Sequence, residues 1–278
     1  MTGPATRILA GLLEARTGQK LSPARSWRVE TALRPLLREL GLASIDPLAA
    51  RIAAGRDEAL ATRVVELLLN NESSFFRDMS VFNLLDREAL EAIRRARARE
   101  RRLRIWSAGC STGQEAYTLA ILLSETRERW AGWTIDLVAT DISAFAIARA
   151  RGGRYSQFEI QRGLPARTML RWFTQDGEEW PVDPALKRIV RFGVHNVFDP
   201  PPGRFDVVLC RNVMMYFAPA ARAKVFDRLA AALDGDGVLM LGAGETVIGQ
   251  TDRFTAHPEL RGLYAPADRT GAQSRAAA

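Results

Sequence analysis

The stretch Arg104–Glu115, R-I-W-S-A-G-C-S-T-G-Q-E, constrains the fold more than any other part of the chain. Leu103, Ile105 and Trp106 form a short apolar run that reads as a buried strand. The run stops at a tight loop of small residues, Ser107-Ala108-Gly109-Cys110-Ser111-Thr112-Gly113. Ala116, Leu119, Ala120, Leu122 and Leu123 then recur at helical spacing. A strand, a glycine loop and a helix start make a cradle of the nucleotide-binding kind. Glycine removes the Cβ atoms that hold a ligand off the backbone, and the first helical turn offers unpaired N–H groups. No Lys followed by Ser or Thr stands in the loop, so it is not a Walker-type phosphate cradle.

A second strand, Ile135–Ala139, ends in Thr140-Asp141-Ile142-Ser143. An acid there, about 30 residues beyond the glycine loop, is where a ribose-binding carboxylate falls in nucleotide-binding α/β units. Ser143 is placed to cap the next helix. Glu115 at the first helix start disfavours an anion and suits a ligand with a ribose and a positive charge. S-adenosylmethionine has both.

From residue 102 onward strand and helix patterns alternate, which predicts a mostly parallel, doubly wound sheet. Phe205–Cys210 is the clearest buried strand, and Gly237–Gly242 the next. Ligands of such sheets bind beyond the carboxyl ends of the strands. Ser107–Glu115, Asp141, Asn196, Arg211, Asn212 and Glu245 all fall there. Asp176-Gly177 is a hairpin-turn signal, and residues 171–191 read as a small antiparallel insertion.

Upstream of residue 70 the pattern is helical. Ile8, Leu9, Leu12 and Leu13 share one face; Leu33, Leu36, Leu37 and Leu40 share another, with Gly41 as its C-cap and Pro35 expected to kink or divide it. Two further segments run from Leu48 and from Leu60. Residues 1–69 are therefore expected to be a helical domain, 70–101 a linker with a connecting helix, and 102–278 the sheet domain. Residues 1–56 hold nine Lys and Arg against four acids. Arg25, Arg28, Arg34 and Arg38 are candidates for an exposed basic side that is either simply solvated or docks an acidic partner.

The net charge is +7, and residues 94–104 alone carry seven arginines against one acid. They read as a solvated helix end, or as a surface for an acidic partner; no aromatics interleave with them, which counts against nucleic-acid stacking. No apolar run reaches a membrane-spanning length of about 18 residues, and the N-terminus lacks a signal-peptide pattern. Two cysteines, Cys110 and Cys210, make no disulfide framework and point to a reducing, cytoplasmic compartment. Only two histidines are present, so no metal site is expected.

Gly109–Gly113 also fits the nucleophile elbow G-x-S-x-G, and Ser111, Asp206 and His257 follow in triad order. Residues 1–101 offer none of the preceding strands such an elbow needs, no HGGG segment is present, and Asp206 begins a strand at the wrong end of the sheet. A hydrolase is set aside on these grounds.

Taken together, N-N-E-S-S-F-F-R-D, I-W-S-A-G-C-S-T-G-Q-E-A-Y-T-L-A, A-T-D-I-S, A-R-G-G-R-Y-S-Q-F-E-I-Q-R-G-L-P, V-H-N-V-F-D-P and F-D-V-V-L-C-R-N-V-M-M-Y-F resemble the CheR-type chemoreceptor glutamate methyltransferases. The motifs span residues 70–217 in order. The resemblance implies an N-terminal helical domain, a class I S-adenosylmethionine-dependent domain with a small β-subdomain, and methyl esterification of glutamates on chemoreceptor cytoplasmic helices. It implies that Asn71, Ser73 and Arg77 reach the cofactor from the linker. The methionine part and ribose would fall to Glu115 and Asp141, beside Ala108 and Gly109, and the adenine to Asn196 and Val197. Arg211 and Asn212 would lie beside the reaction centre, with Arg77 and Tyr216 catalytic. Ser73 replaces a frequent threonine of the family, and Ala243 a frequent histidine. The short hairpin argues for action independent of a receptor's C-terminal pentapeptide tether. A signalling module with altered catalysis, or a methyltransferase with another substrate, are the alternatives.

Overall fold

The computed structural model describes residues 3–21 and 27–267, and the chain divides into two compact units. Arg25, one of the basic candidates, lies outside the described residues. The first unit comprises the chain up to Asn71 together with Tyr216–Ala221. Its helices are α1 (Pro4–Thr17), α2 (Trp27–Glu39), α3 (Ile45–Ala53) and α4 (Glu58–Leu68). Leu9, Val29, Leu33, Leu36, Leu48 and Val64 make its core. Ser44 and Asp57 cap α3 and α4 by accepting the backbone N–H groups of Asp46 and Leu60. Gly41 closes α2, with the Leu42 N–H bonded to the Leu37 carbonyl at 2.8 Å. Of the two expected effects of Pro35, division of the helix does not occur: α2 runs through it. Pro35 and Thr31, whose carbonyl loses its helical partner, are both exposed, so that carbonyl is not left in the core.

The second unit comprises Glu72–Met215 and the chain from Arg222 onward. It opens with α5 (Met79–Leu84), a π-helical turn (Leu85–Ala89) and α6 (Leu90–Ala96). Then follow β1 (Arg102–Ala108), α7 (Gln114–Glu125), β2 (Thr134–Asp141), α8 (Ala144–Gly152), β3 (Arg154–Ser156), α9 (Gln157–Gln161) and α10 (Ala166–Trp172). The chain continues through β4 (Glu179–Pro181), α11 (Pro184–Ile189), β5 (Val190–Val194), β6 (Phe205–Cys210), α12 (Pro219–Ala232), β7 (Leu233–Leu241), β8 (Phe254–Ala256) and β9 (Leu263–Pro266).

The main sheet has the order β5-β2-β1-β6-β7-β9-β8. Its first five strands are parallel and the last two antiparallel, as the alternating pattern predicts. The order reverses about β1, which places the switch point, and hence the ligand crevice, at the end of that strand. Every residue of β6 is buried, consistent with a central strand covered on both faces.

Three findings differ from the sequence reading. The stretch 70–101, expected as a linker with a connecting helix, lies in the second unit from Glu72 onward, and its Phe75, Phe82, Leu85, Leu90 and Ile93 belong to that unit's core. The antiparallel subdomain begins before residue 171, because β4 pairs with β3, with Tyr155 opposite Trp180. The arginine run is largely spent on ion pairs within its unit. Arg97 binds Asp206 and Asp236, and Arg104 binds Asp206 and Asp234. The Asp206 carboxylate, 1% exposed, also accepts the Arg104 N–H at 2.7 Å. Arg97 holds the Asp236 carboxyl below its ordinary value.

Candidate functional site

The crevice is built on the glycine loop. Gly109, Ser111 and Gly113 all have positive φ (80°, 52° and 96°), so the chain turns back on itself within five residues. A Cβ on Gly109 would fall 2.6 Å from Val213 Cγ2, so any side chain there would have to displace Val213 and carry a strained positive φ. The N–H groups of Gly109 and Cys110 both donate to the Thr140 carbonyl, at 2.7 and 2.9 Å. Burial pushes the Cys110 and Cys210 thiols up, which leaves both protonated and unreactive.

Asp141 closes β2 and is 8% exposed. One carboxylate oxygen accepts the Ser111 N–H at 2.8 Å, and the other the Ser143 N–H at 2.9 Å. It thereby ties the loop after β1 to the start of α8, which Ser143 caps through the Ala146 N–H. His195 follows β5; its N–H bonds the Asp141 carbonyl at 2.9 Å, and its ring stands edge-on to Trp106. Burial lowers the His195 pKa, so the ring is neutral at pH 7. Asn196 and Val197 are half-buried just beyond it, and the Asn196 Oδ1 accepts the Phe198 N–H.

Glu115, in the first turn of α7, accepts from Ser107 Oγ at 2.7 Å and from Arg211 Nη1 at 3.1 Å. Arg211 lies just past β6 with its side chain only 2% exposed. Its Nη2 donates to the Arg77 carbonyl and to Asp78 Oδ2, both at 2.7 Å, and its guanidinium lies over the Phe82 ring. The buried Nε has no partner among the described residues. Asn212, at φ 59°, donates its N–H to Glu245 Oε2 at 2.7 Å. Glu245 also accepts the Gly242 N–H at 2.9 Å and the Met215 N–H at 3.3 Å.

Arg77, Glu115 and Arg211 are thus linked directly. Ala108, Gly109 and Asp141 meet at the glycine loop, and Asn212 follows Arg211 in the chain and is held by Glu245. Ser73 is half-buried in the extended stretch before Phe75. Asn71 and Tyr216 belong to the helical unit. There the Asn70 side-chain amide donates to the Tyr216 hydroxyl, and the Tyr216 carbonyl accepts the Lys20 N–H at 2.7 Å. A cavity of about 50 Å³ beside them is lined by Leu13, Val29, Leu68, Asn70 and Tyr216. In the sequence Glu245 is only a polar strand end, and Asp78 only the last residue of N-N-E-S-S-F-F-R-D. Neither the three N–H groups that converge on Glu245 nor the bond from Asp78 to Arg211 has a local signal.

The Asp141 carboxylate, buried at the end of β2, fits a ribose, and the half-buried Glu115 carboxylate in the first turn of α7 fits an ammonium group. The unpartnered Arg211 Nε–H fits a ligand acceptor such as a carboxylate. This donor set matches S-adenosylmethionine, and with the strand order it defines a class I S-adenosylmethionine-dependent domain. Residues 71–262 match the family model described as CheR methyltransferase, SAM binding domain. The chain is 34% identical to a chemotaxis protein methyltransferase of Vibrio parahaemolyticus, over 89% of this chain and 91% of the relative. It is 33% identical to chemotaxis protein methyltransferase 1 of Pseudomonas aeruginosa, over 87% and 90%. The chain belongs to the CheR methyltransferase family, and its cofactor is S-adenosylmethionine. Among the described residues, no helix is long and apolar enough to cross a membrane.

Proposed function

We propose that this protein methylates glutamate side chains on the cytoplasmic helices of chemoreceptors, in adaptation of a chemotaxis-type pathway. The names of its relatives support the pathway. One observation supports the chemistry above others: Arg77 sits on a backbone elbow anchored through Arg211 to Glu115. A guanidinium presented from a fixed backbone suits the acceptor, because it keeps a carboxylate ionised and can hold it bidentately.

The cofactor supplies an electrophilic methyl on a sulfonium, leaves as S-adenosylhomocysteine, and requires no strong base. A carboxylate oxygen of the acceptor forms the new C–O bond. In this reading Arg77 and Tyr216 orient that carboxylate. Orientation of this kind contributes up to roughly 7–11 kcal/mol. Glu115 would hold the cofactor ammonium and Asp141 the ribose, with Ala108 and Gly109 along the backbone. Asn196 and Val197 border the adenine. Asn71, Ser73, Arg211 and Asn212 complete the cofactor contacts.

Helix α2 carries the exposed Arg28, Arg34 and Arg38 opposite its buried Val29, Leu33, Leu36 and Leu37. We assign this face of residues 1–69 to docking of the acidic methylation helices in the cytoplasm. The β3–β4 pair is closed by a bridge between Asp176 and Glu179, and Arg154 pairs with both acids. So tight a turn, with its charges already matched, supports action without a receptor tether; stable binding of a C-terminal pentapeptide would refute that part.

The test is transfer of labelled methyl from S-adenosylmethionine to purified chemoreceptor cytoplasmic fragments. Base-labile label that disappears with Arg77→Ala, while calorimetry still detects cofactor binding, is the expected result. Cofactor binding without any transfer to receptor glutamates would overturn the substrate. Near-normal turnover in Arg77→Ala would overturn the role of that arginine.

A further inference from the structure

Arg77 stands between two non-glycine residues with left-handed backbones, Phe76 at φ 47° and Asp78 at φ 61°. Side chains with a Cβ rarely adopt that region, and they keep it only where the surroundings over-determine it. Here every residue of the elbow is held. The Phe75 ring is buried edge-on against Tyr155 and Phe173, with centroids 5.0 and 5.3 Å away. The Phe76 N–H donates to Thr118 Oγ1 at 3.0 Å. The Arg77 carbonyl and the Asp78 carboxylate share Nη2 of Arg211. Arg211 is in turn fixed by Glu115 and by its own burial.

Asp78 begins α5, yet its side chain makes no capping bond to that helix. Its carboxylate is committed to Arg211. Asp is one of the few residues that tolerates a left-handed backbone, and its short carboxylate ends within reach of the guanidinium.

We propose that Asp78 is a positioning residue for methyl transfer. By pairing with Arg211 it locks the 76–78 elbow and so fixes the direction in which Arg77 meets the acceptor carboxylate. The inference rests on the assignment of Arg77 to that carboxylate, and it adds a residue to which no role in the reaction has been given.

Three variants of the full chain test it. Asp78→Asn keeps the shape and the tolerance for positive φ but removes the charge. Asp78→Gly relieves the backbone strain and removes the partner altogether. Arg77→Ala tests the underlying assignment. Turnover on a receptor fragment, affinity for S-adenosylhomocysteine by calorimetry and the thermal midpoint are measured for each. Loss of a charge-assisted bond predicts a fall in kcat of about tenfold or more in both Asp78 variants. Cofactor affinity falls less than kcat does, because Asp141 is untouched and Arg211 keeps its bond to Glu115, and the midpoint stays within about 4 °C. Near-wild-type kcat in either Asp78 variant, with Arg77→Ala inactive, overturns the proposal. A fall in cofactor affinity parallel to kcat overturns it too, because Asp78 is then a prop of the binding site. An active Arg77→Ala removes the assignment on which the inference stands, whatever the Asp78 variants do.

Discussion

Replacement of Gly163 by alanine probes the elbow from the opposite side. Gly163 has φ +96°, and a Cβ there would stand 2.1 Å from the Phe75 carbonyl oxygen. Atoms in ordinary contact stand about 3.4 Å apart or more, so one of the two backbones must move by about 1 Å. Phe75 cannot yield cheaply, because its ring is fully buried in the aromatic cluster with Tyr155 and Phe173. The positive φ costs alanine about 1–2 kcal/mol, and overpacking a well-filled site costs about 1–3 kcal/mol more. Gly163→Ala is therefore expected to destabilise the protein by about 2–5 kcal/mol, a large share of the roughly 5–15 kcal/mol of an ordinary domain. Urea unfolding of both proteins measures this. Cofactor binding and methyl transfer, assayed under folding conditions, test the second half: movement of Phe75 drags the 76–78 elbow, so turnover falls more than the folded fraction does. A loss of less than about 1 kcal/mol together with normal turnover would refute the reasoning.

Two further predictions follow from carboxylates. Glu245→Ala strips the acceptor from the N–H groups of Asn212, Gly242 and Met215; a loss of about 2 kcal/mol in stability and weaker cofactor binding are expected, and unchanged calorimetry would show that Asn212 needs no such anchor. Hydrogen bonds from Arg94, and less so from Arg95, hold Glu91 at about 2, below the ordinary 4.5. Its contribution to stability is complete above about pH 4.5 and is lost as pH falls toward 2. Arg95 is exposed and Arg94 half-buried, so solvent screens both pairs and the contribution is small. Glu91→Gln should flatten that part of the acid-unfolding profile, and an unaltered profile would count against the pairing.

What the sequence determined by itself is what depends on near neighbours along the chain. The strand, glycine loop and helix of Arg104–Glu115, the acid at the end of β2, the Ser143 cap and the fully buried β6 are set by side-chain period and by residues a few positions apart. The same rules yielded the doubly wound sheet, because alternating strands and helices leave few other ways to bury both faces. They could not supply partners. Phe82, Leu85 and Ile93 display an apolar face, but period alone does not say that the face packs into the sheet unit, and so residues 70–101 read as a linker with a connecting helix. A three-residue strand such as β3 has too little pattern to announce its pairing with β4. The seven arginines of 94–104 look alike in sequence; only the fold brings Asp206, Asp234 and Asp236 to Arg97 and Arg104 across more than 100 residues. The left-handed backbones of Phe76 and Asp78 leave no compositional mark, because their strain is tolerated only through Thr118, Arg211 and the close approach of Gly163. Tertiary structure decided these features: a hydrogen bond or ion pair depends on distance in space, and chain separation says little about distance once the sheet has closed.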